Sequence, residues 1–198
     1  MGQWGRRAMA GMQQMWHAYP VTRGMTTYAL LWPTSNMVQQ GLDPGRQRYD
    51  PLQGLRFLVM GTFITAPTVY VWVKIASKLV RGNSLRHAML KALYDITLFA
   101  PVGQSQFYFG ISALEGKSLA QCTDEVKEKL IPSWKVAACF WPIVQTFNFA
   151  YVAERNRVVV VSVGSFIWTI FLSYMHHTDV QNRPSFLRPK RTNLEPQP

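Results

Sequence analysis

Five long windows of this 198-residue chain carry no Asp, Glu, Lys or Arg. Nineteen residues separate Arg23 from Asp43, seventeen separate Arg56 from Lys74, and nineteen separate Asp95 from Glu115. Eighteen lie between Lys135 and Glu154, and twenty-one between Arg157 and Asp179. A helix crosses a bilayer on roughly 17–25 mostly apolar residues. Helices of a soluble bundle carry polar faces at a 3.6-residue period, which would break such runs with charge. The charge distribution therefore predicts an all-α integral membrane bundle. Composition alone, with 16% charged and 48% apolar residues, would suit a soluble protein.

The length allows one domain, read as three parts. Residues 1–20 form an N-terminal amphipathic segment with Arg6 and Arg7 and no acid. They are too polar for a secretory apolar core. They read equally as a mitochondrial targeting segment or as an interfacial helix with Trp4, Met12 and Trp16 toward lipid. Residues 21–176 hold four to five hydrophobic helices: about 22–40, 55–79, 85–114, 134–152 and 158–174, the last two forming either a hairpin or two full spans. Gly41–Gly45 and Arg81–Asn83 break the chain between them. Residues 115–135 are hydrophilic and read as an amphipathic surface helix, in which Asp124, Glu125 and Glu128 alternate with Lys127 and Lys129. Residues 177–198 are a polar tail rich in Pro and Arg, expected to be disordered.

The net charge of +11 admits nucleic acid or an anionic membrane surface as partner. No nucleic-acid motif accompanies it, so no nucleic-acid partner is expected; basic loops flanking apolar helices account for the charge. Arg6, Arg7 and Arg23 precede the first span, and Lys74, Lys78, Arg81, Arg86 and Lys91 lie between the second and third. By the positive-inside rule these two regions share one face. Cys122 and Cys139 are too few for a secreted disulfide framework. His17, His87, His176 and His177 have no acid or cysteine at ligand spacing inside the membrane, so neither a metal nor another cofactor is expected. No phosphate loop, nucleophile elbow or catalytic carboxylate pair is present, so the chain does not read as an enzyme.

Polar residues inside the windows fall on single helical faces. The candidates for the bundle interior are Asn36, Gln40, Thr65, Asp95, Gln106, Gln145, Asn148, Ser165 and Thr169. They read either as interhelical glue or as the lining of a water-filled path. Asp95, at the mouth of the third span, is expected to pair with Lys91 or an arginine of the neighbouring loops.

In the fourth and fifth windows, Trp134, then Trp141-Pro142 with Gln145, Asn148 and Phe149, then Arg157, Trp168 and Tyr174, form a pattern. It resembles the Mpv-seventeen family, which includes the twenty-two-kilodalton peroxisomal membrane protein. Trp16 to Pro20, Gln40, Arg56, Gly61, Pro67, Trp72, Asp95, Ala100-Pro101 and Phe107-Tyr108 with Gly110 extend the likeness over about residues 16–175. Three positions depart from the family: Ser35-Asn36 replaces Gly-Asp, Asp95-Ile96 replaces Asp-Gln, and Val152-Ala153 replaces Val-Pro. Asp95 is left as the one intramembrane carboxylate. The resemblance implies a bundle of about four helices in the mitochondrial inner membrane or, alternatively, the peroxisomal membrane. It implies a weakly selective channel for small solutes that supports mitochondrial homeostasis. The alternative is a non-conducting scaffold or assembly factor that docks a protein partner at the 115–135 helix. Expected partners are the lipid bilayer and further copies of the chain.

Overall fold

Prolines and capping side chains, rather than apolar runs, set where the helices begin. The computed structural model describes residues 11, 14–15, 18–43, 48–82, 84–151, 157–178 and 184–187; the side chains of 85, 148–150 and 157–159 lie outside that description. Most of the expected N-terminal segment and of the polar tail therefore falls outside the described residues. Regular structure among the described residues is all helical, in five long helices and one short 3-10 turn. Helix α1 is Pro20–Leu42, α2 is Pro51–Leu79, α3 covers 85–114, α4 is Leu119–Tyr151 and α5 is Arg157–His177. The chain divides into two compact units, Met1–Lys91 and Ala92–Pro198.

In the first unit α1 and α2 form an antiparallel hairpin. Asp50 starts α2: its carboxylate accepts from the N–H of Leu52 at 2.9 Å and of Gln53 at 3.3 Å, and Pro51 follows at the first helical position. That is a favoured helix start, with a side-chain acceptor for otherwise unbonded N–H groups. The same residue is gripped from α1. Gln40 Oε1 accepts from the Asp50 N–H at 2.7 Å, and Gln40 Nε2 donates to the Asp50 carbonyl at 3.2 Å. The second proton of Nε2 goes to Asn36 Oδ1 at 2.7 Å. Asn36 and Gln40 are thus committed to closing the hairpin.

In the second unit α3 packs against α4 and α4 against α5. The turn after α3 is a Schellman motif. Lys117 N–H donates to Ser112 O at 3.1 Å and Gly116 N–H to Ala113 O at 3.0 Å, with Gly116 at φ +82°. Ser118 then opens α4 with a capping box. Its Oγ accepts from Gln121 N–H at 3.3 Å while Gln121 Oε1 accepts from Ser118 N–H at 2.9 Å. The α4–α5 seam is aromatic: Trp168 lies 5.7 Å from Phe140, 6.2 Å from Trp141 and 4.9 Å from Phe171 between ring centroids. Gly164 lets the two backbones approach there, because a Cβ would stand 3.1 Å from Val144.

One expectation changes and another is narrowed. The segment 115–135 does not hold a separate surface helix; from Leu119 it is the first half of the 33-residue α4, which continues through Pro132 and Pro142. The change from hydrophilic to apolar composition near residue 134 is no backbone signal, and a proline inside a helix removes one hydrogen bond without ending it. The expected four to five hydrophobic helices are five among the described residues, and α5 alone is about 31 Å long at about 1.5 Å per residue. By length and composition together, Pro51–Leu79 is the one helix among the described residues apolar enough to cross a bilayer.

Burial is inverted relative to a soluble bundle. On α2, Phe63 is 62% exposed while Gln53 is 2% exposed. Leu30, Ile143 and Val163 face outward on their helices while Ser35, Gln39, Gln104 and Ser133 are buried. Water would favour the reverse, and lipid favours this arrangement.

Gln40→Leu removes both contacts to Asp50. It is expected to lower unfolding stability in detergent by about 1–3 kcal/mol, since it leaves backbone groups unbonded. The denaturant midpoint, followed by helical circular dichroism, measures it. An unchanged midpoint would show that the hairpin closes without the amide.

Candidate functional site

Two helices change register at the same kind of sequence. Met60–Thr65 in α2 and Asp95–Phe99 in α3 are π-helical, and each runs into an Ala-Pro pair. Ala66 N–H bonds Gly61 O, and Ala100 N–H bonds Asp95 O, five residues back in both cases. The following proline has no N–H. The carbonyls of Thr62 and Ile96 are therefore left without a donor from their own helix. At Ile96 the donor comes from α4, where Trp134 Nε1–H bonds the carbonyl at 2.8 Å. At the first π segment, Trp32 covers Gly61 so closely that a Cβ there would stand 2.6 Å from Trp32 Cγ. Short π segments interrupt helices most often at functional positions.

The extra residue of the second π segment also rotates everything beyond it by about 100° relative to a straight helix. Gln106 was expected on the face of Asp95. The buried face of α3 instead carries Gln104, Phe107, Tyr108, Ile111 and Ser112, and both Asp95 and Gln106 are half-buried. Gln104 is thus an interior amide that a straight-helix projection misses. Tyr108 and Ser133 share a buried hydroxyl–hydroxyl hydrogen bond between α3 and α4.

Hydroxyls of the expected stripes are largely spent inside their own helices. Thr169 is buried and donates to Ser165 O at 2.8 Å, as Thr34, Ser35 and Thr68 donate to carbonyls four residues back. Thr65 is half-buried in the first π segment. Gln145 is half-buried, and its Oε1 is buried without a protein hydrogen-bond partner. The side chains of Asn148, Phe149 and Arg157 lie outside the described residues. Trp141 and Trp168 belong to the aromatic seam, and Trp134 to the π segment.

The tightest polar assembly of the second unit is one the sequence reading did not contain. Glu115, after α3, places Oε1 3.0 Å from His176 Nε2 and Oε2 3.1 Å from Lys117 Nζ. Lys117 Nζ also meets Glu125 Oε1 at 2.7 Å, and Glu125 Oε2 pairs with Lys129. Lys129, 4% exposed, donates to the His176 carbonyl at 2.7 Å, a cation at the C-terminal end of α5. His176 stacks on Tyr108 and lies edge-on to His177, with ring centroids 4.6 Å apart. Burial opposes charge on Glu115, but hydrogen bonds and charge from His176 and Lys117 outweigh it and bring the carboxyl to about 2. Burial lowers the His176 pKa, only partly offset by Glu115. With His176 neutral near pH 7, the cationic support of Glu115 falls to Lys117. Sequence separation hid this cluster, because Glu115 and His176 are 61 residues apart.

An all-helical chain with amides inside and aliphatic side chains outside is the class defined so far. The Mpv17 / PMP22 family profile matches residues 112–173, which contain the Trp-Pro run and the aromatic seam. The chain is 30% identical over 163 residues to PXMP2/4 family protein 4 of Dictyostelium discoideum, covering 81% of this chain and 88% of that protein. It is 27% identical to an Mpv17-like protein of Xenopus laevis, over 82% of this chain and 79% of the relative. It is 26% identical to the mitochondrial inner membrane protein Mpv17 of Caenorhabditis elegans, over 71% and 77%. No solved structure matches. The chain belongs to the Mpv17 / PMP22 family, whose relatives include membrane proteins of mitochondria. These relatives place it in the mitochondrial inner membrane, as the sequence led us to expect; the peroxisomal membrane is also consistent with the family.

Trp134→Phe keeps the ring and removes the donor to Ile96 O. It is expected to cost about 1–3 kcal/mol, the penalty for an unbonded, part-buried carbonyl. Pro101→Ala supplies a new N–H five residues after Ile96, so Trp134→Phe should cost less in that background. Equal costs in a double-mutant cycle would separate Trp134 from the π segment.

Proposed function

We propose that the bundle is a weakly selective channel for small solutes in the mitochondrial inner membrane. One observation carries the reading: interior side-chain atoms that the fold buries without giving them a protein hydrogen-bond partner. In the first unit these are Gln53 Nε2 and Thr62 Oγ1; in the second they are Gln104 Oε1, Ser112 Oγ and Gln145 Oε1. Each such atom costs about 1–3 kcal/mol if left dry. Glue residues would have paired with one another, as Asn36 and Gln40 do. Polar atoms that face a hydrated path are satisfied by water and by passing solute. Asn36, Gln40 and Thr169 leave the candidates; the residues that remain on this ground are Gln53 and Thr62 within the first unit and Gln104, Ser112 and Gln145 within the second.

Purified protein in planar bilayers is expected to pass current. Gln104→Leu and Gln145→Leu should lower unitary conductance while helical content and denaturant midpoint hold. Asp95→Asn, which removes the carboxylate from the π segment of α3, should move the reversal potential under a salt gradient toward that of an anion-preferring pore. Folded wild-type protein that carries no current overturns the reading, as do leucine variants with unaltered conductance.

A further inference from the structure

The geometry points to a binding site for a divalent transition-metal ion, Zn2+ by its donor set, formed by Glu115, His176 and His177. One carboxylate oxygen and one ring nitrogen from each histidine all lie within 4.8 Å of one another. Ligands about 2.0–2.1 Å from a tetrahedral zinc stand roughly 3.4 Å apart, and the Glu115 Oε1 to His176 Nε2 distance is 3.0 Å. An ion could therefore enter by side-chain adjustment, without moving either helix.

The frame around these donors is rigid. The Schellman turn and capping box fix the backbone on both sides of Glu115. Lys129 fixes the last turn of α5 through the His176 carbonyl. The Glu115 carboxylate is divided, with Oε2 on Lys117 and Oε1 on His176. An ion taking Oε1 leaves the lysine contact in place, and that contact then orients a ligand, as outer partners do in metal sites. The other nitrogen of the same ring is also unspent. The His176 side chain is 1% exposed, yet its Nδ1 has no protein hydrogen-bond partner. A buried imidazole with an unspent nitrogen is costly unless something takes that valence. With an ion on Nε2 beside Glu115 Oε1, the ring proton moves to Nδ1, the tautomer of a histidine ligand.

Two imidazoles and one carboxylate are ligands for zinc rather than for calcium or magnesium, which prefer oxygen alone. Three protein donors leave a fourth position open. Lys117 and Lys129 are balanced by Glu115 and Glu125, so the ligand bonds rather than a net negative field would hold the ion. A chelator should therefore remove it.

Tag-free full-length protein in detergent, stripped with chelator, is titrated with Co2+ and then Zn2+. One equivalent of Co2+ is expected to give the visible d–d bands of a four-coordinate site, and Zn2+ should abolish them. His177→Gln and Glu115→Gln should each weaken Zn2+ binding by about tenfold or more. His87→Gln, outside the cluster, should leave it unchanged. The half-buried His177 makes His177→Gln the variant least able to disturb folding, and circular dichroism verifies that it is intact. Absence of a one-equivalent site overturns the proposal, as does binding unaffected by His177→Gln or lost in His87→Gln.

Discussion

A carbonyl that its own helix cannot serve is the constraint around which the second unit is organised. Hydrocarbon offers no donor, so a backbone oxygen released at a helix irregularity must be met by the protein. Pro101 releases Ile96 O, and Trp134 meets it from α4. That single bond ties the irregular part of α3 to the middle of α4, and it gives Trp134 a role that a purely hydrophobic residue could not fill. Phe107 and Tyr108 then turn inward, because the π segment has rotated the remainder of α3.

The first unit faces the same constraint with different parts. Its π segment also ends at Ala-Pro, but a tryptophan packed on glycine lies beside it. The nearby hairpin is closed by an amide that copies the hydrogen-bonding face of a peptide. Gln40 presents one acceptor and one donor to Asp50, and its remaining proton goes to Asn36. An amide used this completely has nothing left for a solute. Amides in this bundle therefore differ: Asn36 and Gln40 spend their valences holding the hairpin closed, while Gln53, Gln104 and Gln145 each keep a buried atom without a protein partner.

How much of this was legible in the sequence depends on the range of the interaction. Each of the five charge-free windows marked one helix, and for α1 and α5 the ends agreed to within a few residues, because bilayer thickness and helix rise act on contiguous residues. The Trp141-Pro142 run indicated the family, since a motif is also local. The unity of α4 was not legible: composition changes where the helix enters a different solvent, and the backbone hydrogen bonds do not. The interior face of α3 was misassigned by the projection that works elsewhere, because one added residue per π turn shifts every later position. A proline four to six residues after a polar residue in an apolar run was the available signal.

Glu115 and His176 were illegible for a different reason. Each is unremarkable in its own segment, one acid after a helix and one histidine at a helix end. Their meeting requires that α3, α4 and α5 pack with their ends level; the Tyr108–Ser133 hydrogen bond joins α3 to α4, and the aromatic seam of Phe140, Trp141 and Trp168 joins α4 to α5. Once the ends are level, helix polarity explains the charges: the α5 carbonyls attract Lys129, Lys129 attracts Glu125, and Glu125 shares Lys117 with Glu115. The chain of alternating charge stops at His176, the one member that burial keeps from carrying a charge of its own. A neutral imidazole at the end of such a chain is the state in which histidine accepts a metal, and the same packing that levels the helix ends sets His177 beside it.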